Sequence, residues 1–257
     1  MNKKQIIILW LASIVITFLA GYVESVTNEN YPVSGTIGID GKKLSYKFDK
    51  IATHEKGLDI ILRTDVDSLT GQFEYQVAGS DNAWKENPLE VSDKTLKINF
   101  HIQKGIKQLK YRVRIFSKDK DILLQGKNQP VILNVKGRVP GMINSFFYLL
   151  LFGGLLLGTR TGLEYFNDKE KIKKLSIFTA IMYCSAIIVF LPLKKIYEFQ
   201  ALGNKILPFS DLVDPALLSI LVLWIITIIL VFNIKRYKVI SLIVSVLSII
   251  LFQFNQL

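Results

Sequence analysis

Apolar and polar stretches divide the chain into two regimes. Five segments carry no charged side chain for sixteen residues or more: 5–23, 142–159, 175–193, 216–232 and 239–254. At a rise of about 1.5 Å per residue, such helices cover roughly 24–28 Å, close to a hydrocarbon core of about 30 Å. The shortest can still span if flanking side chains snorkel or the bilayer thins. The pattern predicts five membrane spans: an N-terminal anchor over residues 1–23 and a four-helix domain over 141–257. A cleaved signal peptide competes for the first segment, but such peptides have apolar cores of about 7–15 residues that end in small side chains. Phe18 and Leu19 stand before the possible cut points here. Leu19-Ala20-Gly21-Tyr22 has the outline of a lipoprotein processing site, with tyrosine where the lipid-bearing cysteine is required. We therefore expect an uncleaved anchor.

Residues 24–140 follow a different rhythm. Short runs rich in β-branched and alternating residues recur at 44–48, 58–63, 72–78, 95–102, 109–116, 122–124 and 131–135. In the run from Lys110 to Phe116, Tyr111, Val113 and Ile115 alternate with Arg112 and Arg114, the period of two of a strand with one wet face. Asp40-Gly41, Ser80-Asp81-Asn82, Asn87-Pro88 and Lys104-Gly105 supply turn signals between runs. About seven short strands in this length fit an immunoglobulin-like sandwich. Without core cysteines, the fibronectin type III variant is the nearer one. The expected fold class is thus α+β: transmembrane helices plus a β-sandwich.

The 257 residues include 32 Lys and Arg against 21 Asp and Glu, a net charge of +11, and the mean hydropathy is +0.34. In a water-soluble protein that charge would suggest nucleic acid or an anionic surface. Its distribution gives another account. Segments 1–4, 160–174 and 233–238 together hold ten Lys and Arg, whereas segment 194–215 holds Lys194, Lys195 and Lys205. Positive residues mark the cytoplasmic side of short loops. The N-terminus is therefore expected inside, with the insert and C-terminus outside, in a bacterial inner membrane. No basic block with interleaved aromatics appears, so a nucleic-acid partner is not expected. One cysteine, Cys184, excludes an internal disulfide framework, a Cys-based structural zinc site and an iron–sulfur cluster. His54 and His101, read as exposed residues of the β-region, leave little for metal chemistry. No cofactor is expected.

Two resemblances add to this. Tyr75, Gly79, Asp81 and Trp84 form a Y-x-x-x-G-x-D-x-x-W pattern, followed by Tyr111-Arg-Val-Arg-Ile-Phe116. It resembles the small fibronectin III-like sandwich between sensor propellers and a membrane helix in bacterial hybrid receptors. The resemblance implies a turn at Gly79 and Asp81, with Trp84 over the sheet edge or core; a ligand-binding role for Trp84 is the alternative. The chain has neither a propeller nor a kinase module. The stretch Thr159-Arg160-Thr161-Gly162-Leu163-Glu164 and the run from Leu191-Pro192 through Lys195-Ile-Tyr197 to Pro208-Phe-Ser-Asp211-Leu-Val-Asp214 look like an uncharacterised bacterial membrane-protein family. Its members share the layout of anchor, outer β-domain and four C-terminal spans. Their outer loop ends in Asp-Leu-Thr-Asp-Asn-Lys, where this chain has Val213, Pro215 and Ala216. The family has no assigned activity, so the resemblance bears on architecture alone.

Few residues stand out as chemistry. Arg160 and Glu164 are one helical turn apart and read as an exposed interfacial ion pair in the weaker Arg-first order. Asp214 followed by Pro215 reads as a helix cap. Asp211 and Glu198, in the outer loop 194–215, are candidates for contact with a cation or a partner's basic residue. Tyr197, Phe199 and Phe209 suit an interfacial aromatic belt. Gly153, Gly154 and Gly158 permit close helix approach. Cys184 reads as a small buried hydrophobe. The five segments contain hydroxyls and amides but no charge, which weighs against a proton-coupled transporter.

No nucleophile, zinc or dinucleotide motif is present. The expected function is that of a non-enzymatic accessory or assembly subunit, using its sandwich as a platform for other inner-membrane proteins within the lipid bilayer. Self-association is a further possibility. An extracytoplasmic sensor signalling through a partner is the alternative, followed by a small transporter. The cytoplasmic segments are too short to hold an output module.

Overall fold

The computed structural model describes residues 3–39, 41–66, 69–79, 83–92, 94–117, 120–126, 129–167, 171–200 and 207–255. The chain is mixed α and β and divides into two compact units. One is helical (Met1–Glu29, Val139–Tyr197, Ile206–Leu257); the other is built of strands (Asn30–Arg138, Glu198–Lys205).

The strand unit is sandwich-like. Its strands are β1 (Val33–Ile39), β2 (Lys42–Phe48), β3 (Ile51–Thr53), β4 (Leu58–Thr64), β5 (Thr70–Val77), β6 (Lys85–Pro88), β7 (Glu90–Ser92), β8 (Thr95–Phe100), β9 (Gln108–Ser117), β10 (Lys120–Leu124) and β11 (Val131–Lys136). One sheet runs β1-β2-β4-β8-β7 and the other β3-β11-β9-β5-β6, with β10 also paired to β9. Alternation decides the inner faces. Leu58, Ile60 and Leu62 of β4 are buried while Asp59, Ile61 and Arg63 point outward; on β9, Leu109, Tyr111, Val113 and Ile115 are buried. With Phe48, Phe73 and Leu133 they form one core.

Four of these strands are absent from the sequence reading. β3 and β7 are three residues long, β1 carries two glycines, and Asn87-Pro88, read as a turn, lies inside β6, paired with Phe73 and Gln72. Proline is tolerated there because β6 is an edge strand. Gly79 and Gly105 have the positive φ expected of turns, whereas Asp40 and Ser80-Asp81-Asn82 lie outside the described residues. The histidines are not both exposed: His54 is buried, and its ring meets that of His101 edge to face at 6.0 Å.

The helical unit contains α1 (Lys3–Thr27), α2 (Gly141–Leu163), α3 (Ile172–Cys184), α4 (Leu191–Gln200), α5 (Phe209–Leu212), α6 (Pro215–Asn233) and α7 (Tyr237–Phe252). The last residues of α4 belong to the strand unit. Among the described residues, four helical stretches are long and apolar enough to cross a membrane: Lys4–Thr27, Gly141–Phe166, Ile172–Gln200 and Pro215–Asn233. The fifth apolar helix, α7, is shorter. Ile7, Leu11 and Phe18 of α1, Phe178 of α3 and Ile229 of α6 are more than half exposed. That outward apolar coat suits lipid rather than water.

The third stretch runs past the predicted end of its span. Pro192 lacks an N–H, and its ring clashes with the carbonyl four residues back in a regular helix. The backbone answers with a π-helical segment, Ser185–Phe190, in which Leu191 N–H donates to the carbonyl of Ala186, five residues earlier. The helix therefore continues to Gln200, and Lys194, Lys195 and Glu198 lie on it rather than in a loop. Cys184, read as buried, is exposed on the outer surface of this helix.

Helix α2 packs against α1, α3 and α7, and small residues make this possible. A Cβ on Gly154 would lie 3.0 Å from the Tyr183 ring, one on Gly158 3.0 Å from Trp224, and one on Gly162 would run into Ser245 Cβ. Trp224 is anchored by Nε1–H donating to Ser248 Oγ at 3.0 Å.

Three glycines of the strand unit form a graded test. Gly57 combines a φ of +70° with a Phe100 carbonyl oxygen 2.5 Å from any added Cβ; Gly79 has positive φ in open space; Gly38 has neither constraint. Substitution by Ala is expected to lower stability by about 2–4 kcal/mol at Gly57, about 1 kcal/mol at Gly79 and under about 0.5 kcal/mol at Gly38, read from thermal unfolding of the purified full-length chain.

Candidate functional site

The apolar run of α2 ends at Thr159, but the helix does not. Arg160, Thr161 and Gly162 fill its last turn, and a 3-10 turn, Glu164–Phe166, follows. Arg160 and Glu164 therefore sit at the helix end with relative exposures of 3% and 1%. The expected exposed pair is a buried one. The cause is tertiary: Gly162 brings α7 against this end of α2, and Trp10 of α1 covers Arg160, whose guanidinium carbon lies 5.5 Å from the ring centroid.

The carboxylate of Glu164 gathers three donors. Arg160 Nη2 donates to Oε1 at 2.6 Å; Asn167 Nδ2 and the backbone N–H of Lys171 donate to Oε2 at 2.7 and 3.1 Å. Lys238 Nζ of α7 donates to the carbonyl of Asn167 at 3.1 Å. One side chain thus ties the end of α2 to the start of α3, with α7 attached through Asn167. Charge-assisted bonds of this kind are strong because water is excluded. Arg160 Nε and Nη1 find no acceptor among the described residues.

The arrangement is a structural clasp with spare donor capacity. Among the described residues, no three His, Cys, Asp or Glu side chains gather where a metal ion could sit.

The remaining predicted residues lie apart from this clasp. Glu198 is buried, its carboxylate 3.6 Å from Lys136 Nζ, and its carbonyl accepts from Gly137 N–H. Both contacts fall within the strand unit. Phe199 joins the partly buried side chains around the sandwich core, under Lys107 Nζ at 5.8 Å, instead of an aromatic belt. Asp214 caps α6, its Oδ1 accepting from Leu217 N–H at 2.9 Å with Pro215 in the first turn. Asp211 is exposed on the short α5 and accepts from Ser210 Oγ at 3.2 Å. Trp84 lies on the outer face of its sheet, not in the core, with the Arg112 guanidinium 4.3 Å from its ring centroid.

Two polar clusters had no sequence signal. On the outer face around Trp84, Glu74 is 2% exposed and accepts from Arg112 Nε and from Arg114 Nε, the latter at 2.7 Å; Arg114 Nη1 also reaches Asp121 at 3.0 Å. The charge of Glu74, followed by its hydrogen bond and the charge of Asp121, raises the Arg114 pKa further above its ordinary value. On the inner face the Tyr111 hydroxyl donates to the carbonyl of Asp49 at 2.7 Å. Burial, with the Asp49 charge as a lesser cause, pushes its pKa well above the usual phenol range. The second cluster is in the helical unit. Lys194 is buried, donates to Tyr148 Oη at 3.2 Å and lies 4.9 Å from the Phe147 ring centroid. Period-two spacing places Arg112 and Arg114 on one face, but only strand register supplies Glu74. Only the π-helical continuation turns Lys194 inward.

No family model, no curated protein and no solved structure matches this chain.

The clasp predicts non-additive substitutions. Arg160→Leu and Glu164→Leu each leave a buried group without its partner and are expected to cost about 3 kcal/mol. The double variant should lose at least about 1 kcal/mol less than the sum of the two. Thermal unfolding of the four proteins in one detergent checks this, and strict additivity would refute the pairing.

Proposed function

We propose that this chain is a non-enzymatic accessory or assembly subunit of a bacterial inner-membrane complex. In this reading α7 joins the four longer apolar stretches as a fifth span. The basic ends of the helices face the cytoplasm, and the strand unit is an extracytoplasmic immunoglobulin or fibronectin III-like platform. The organisation into anchor, 24–140 platform and 141–257 bundle is part of the same proposal, as is kinship with the uncharacterised family named above.

One observation supports the platform most directly. On the outer face of β2 and β4 a concavity of ≈ 430 Å³ is lined by Ser45, Tyr46, Lys47, Asp49, Asp59, Ile61 and Arg63. Ile61 is 54% exposed, and the same concavity is lined by charges of both signs. An apolar anchor inside a polar rim is the anatomy of a protein-binding patch. The outer face of the other sheet spends its charges on itself, in the Glu74–Arg112–Arg114 group.

A second reading, passage of an ion or small solute, is favoured by the burial of Arg160, Glu164 and Lys194 within apolar helices, where charged side chains are costly and often functional.

The first reading predicts a partner that co-purifies in fixed ratio with the tagged full-length protein in mild detergent. Ile61→Asp should deplete it about tenfold while leaving thermal stability unchanged. A wild-type protein that purifies alone contradicts it. The second reading predicts solute flux in liposomes that Lys194→Met abolishes.

A further inference from the structure

The whole chain has two histidines, and strand register brings them together. Leu58, the first residue of β4, pairs with Phe100, the last of β8. Gly57 and His101 therefore stand side by side just beyond the paired ends. The turn before β4 folds back on itself: Gly57 N–H donates to the Thr53 carbonyl at 2.9 Å, and the two residues form an isolated β-bridge. His54 lies within that turn, its own N–H held by the Lys136 carbonyl of β11 at 3.1 Å. Glycine permits this close approach, since a Cβ on Gly57 would run into the Phe100 carbonyl and lie 3.5 Å from His101 Cα. The two imidazoles consequently meet with ring centroids 6.0 Å apart and their planes at 74°.

His54 is 9% exposed, and its Nε2 is shielded from water with no hydrogen-bond partner among the described residues. Buried polar atoms are almost always paired, so an orphan of this kind points to an ion or ligand. A neutral imidazole keeps one nitrogen lone pair for a metal. With nitrogen–metal bonds of about 2.0–2.1 Å, two rings on one ion have centroids roughly 5–6.5 Å apart. The observed separation falls in that range. His101 is exposed, so its ring has room to turn toward a shared ion. Glu55, the acid of the same turn, is engaged by Arg138 at 3.6 Å.

We propose that His54 and His101 bind one divalent transition-metal ion of the zinc and copper class, with water completing its coordination. Two side-chain ligands make an open, exchangeable site, unlike a structural zinc site closed by four protein ligands. Imidazole also sets the selectivity. It suits Cu2+ and Zn2+, in that order of affinity, whereas Mg2+ and Ca2+ take oxygen ligands. A bound ion would clip the 53–57 turn to the end of β8, so that metal binding stabilises the strand unit. The site needs neither a partner protein nor a membrane, and so stands apart from the accessory-subunit reading.

The test uses the full-length protein, purified in detergent through a tag free of histidine. One equivalent of Cu2+ should give an electron paramagnetic resonance spectrum with coupling to two imidazole nitrogens. Zn2+ should raise Tm, and Mg2+ should not. His101→Gln, at an exposed position, should keep the fold, leave one imidazole nitrogen in the spectrum and weaken Zn2+ binding about tenfold or more by calorimetric titration. His54→Gln should do the same; if that variant does not fold, His101→Gln decides alone. Cys184→Ser, which removes the one thiol of the chain, should bind as the wild type does. A wild-type chain that does not bind Zn2+, or binding and a two-nitrogen spectrum that survive His101→Gln, would overturn the site. Loss of binding in Cys184→Ser instead would place the ion at the thiol and overturn it equally.

Discussion

The carboxylate of Glu164 must satisfy three donors where water does not reach, and the arrangement of the helix ends around it follows from that requirement. It accepts from Arg160 of its own turn, from Asn167 and from the first N–H of the next helix. A turn between two apolar helices is a place where backbone groups risk being left unpaired, at a cost of several kcal/mol each in lipid. Here one side chain pairs them and fixes the exit direction of α2 and the entry of α3. Gly162 is part of the same solution, since any side chain there would push α7 away from the clasp. Trp10 covers the guanidinium and draws in α1.

The strand unit solves the opposite problem. Its core is apolar by alternation, and its hardest polar group is again a single buried carboxylate, Glu74, held by two arginines from the neighbouring strand. Trp84 stacks on one of those arginines, so a residue that attracts attention as a ligand-binding aromatic completes an outer-face cluster. In both units a buried glutamate is matched by arginine, whose planar fork suits such pairing. Around Ile61 the charges are held more loosely: Lys47 lies 3.9 Å from Asp49, and both side chains are exposed.

Several candidate residues are thereby explained structurally. Asp214 starts a helix, and Glu198 binds the end of β11 through side chain and backbone. Asp211 remains an exposed acid on a single-turn helix. The buried Lys194 is the opposite case: an unremarkable loop lysine in sequence, it is an interior cation in the fold.

How much of this was legible beforehand follows from the range of each interaction. Hydrophobic length and period two act locally, so the apolar helices, the polar insert and the seven main strands can be read from the residues alone; so can the cap at Asp214, which needs only its own helix. Edge strands such as β6 and β7 have no pattern of their own and exist because a neighbour offers hydrogen bonds. The continuation of α3 into α4 escaped because the π-helical segment is a response to Pro192, not a motif. The burial of Arg160 and Glu164 was illegible for the strongest reason. Their spacing permits a pair anywhere on a helix, and whether water surrounds it is decided by Trp10, Gly162 and Asn167, which only the tertiary packing brings to the same place.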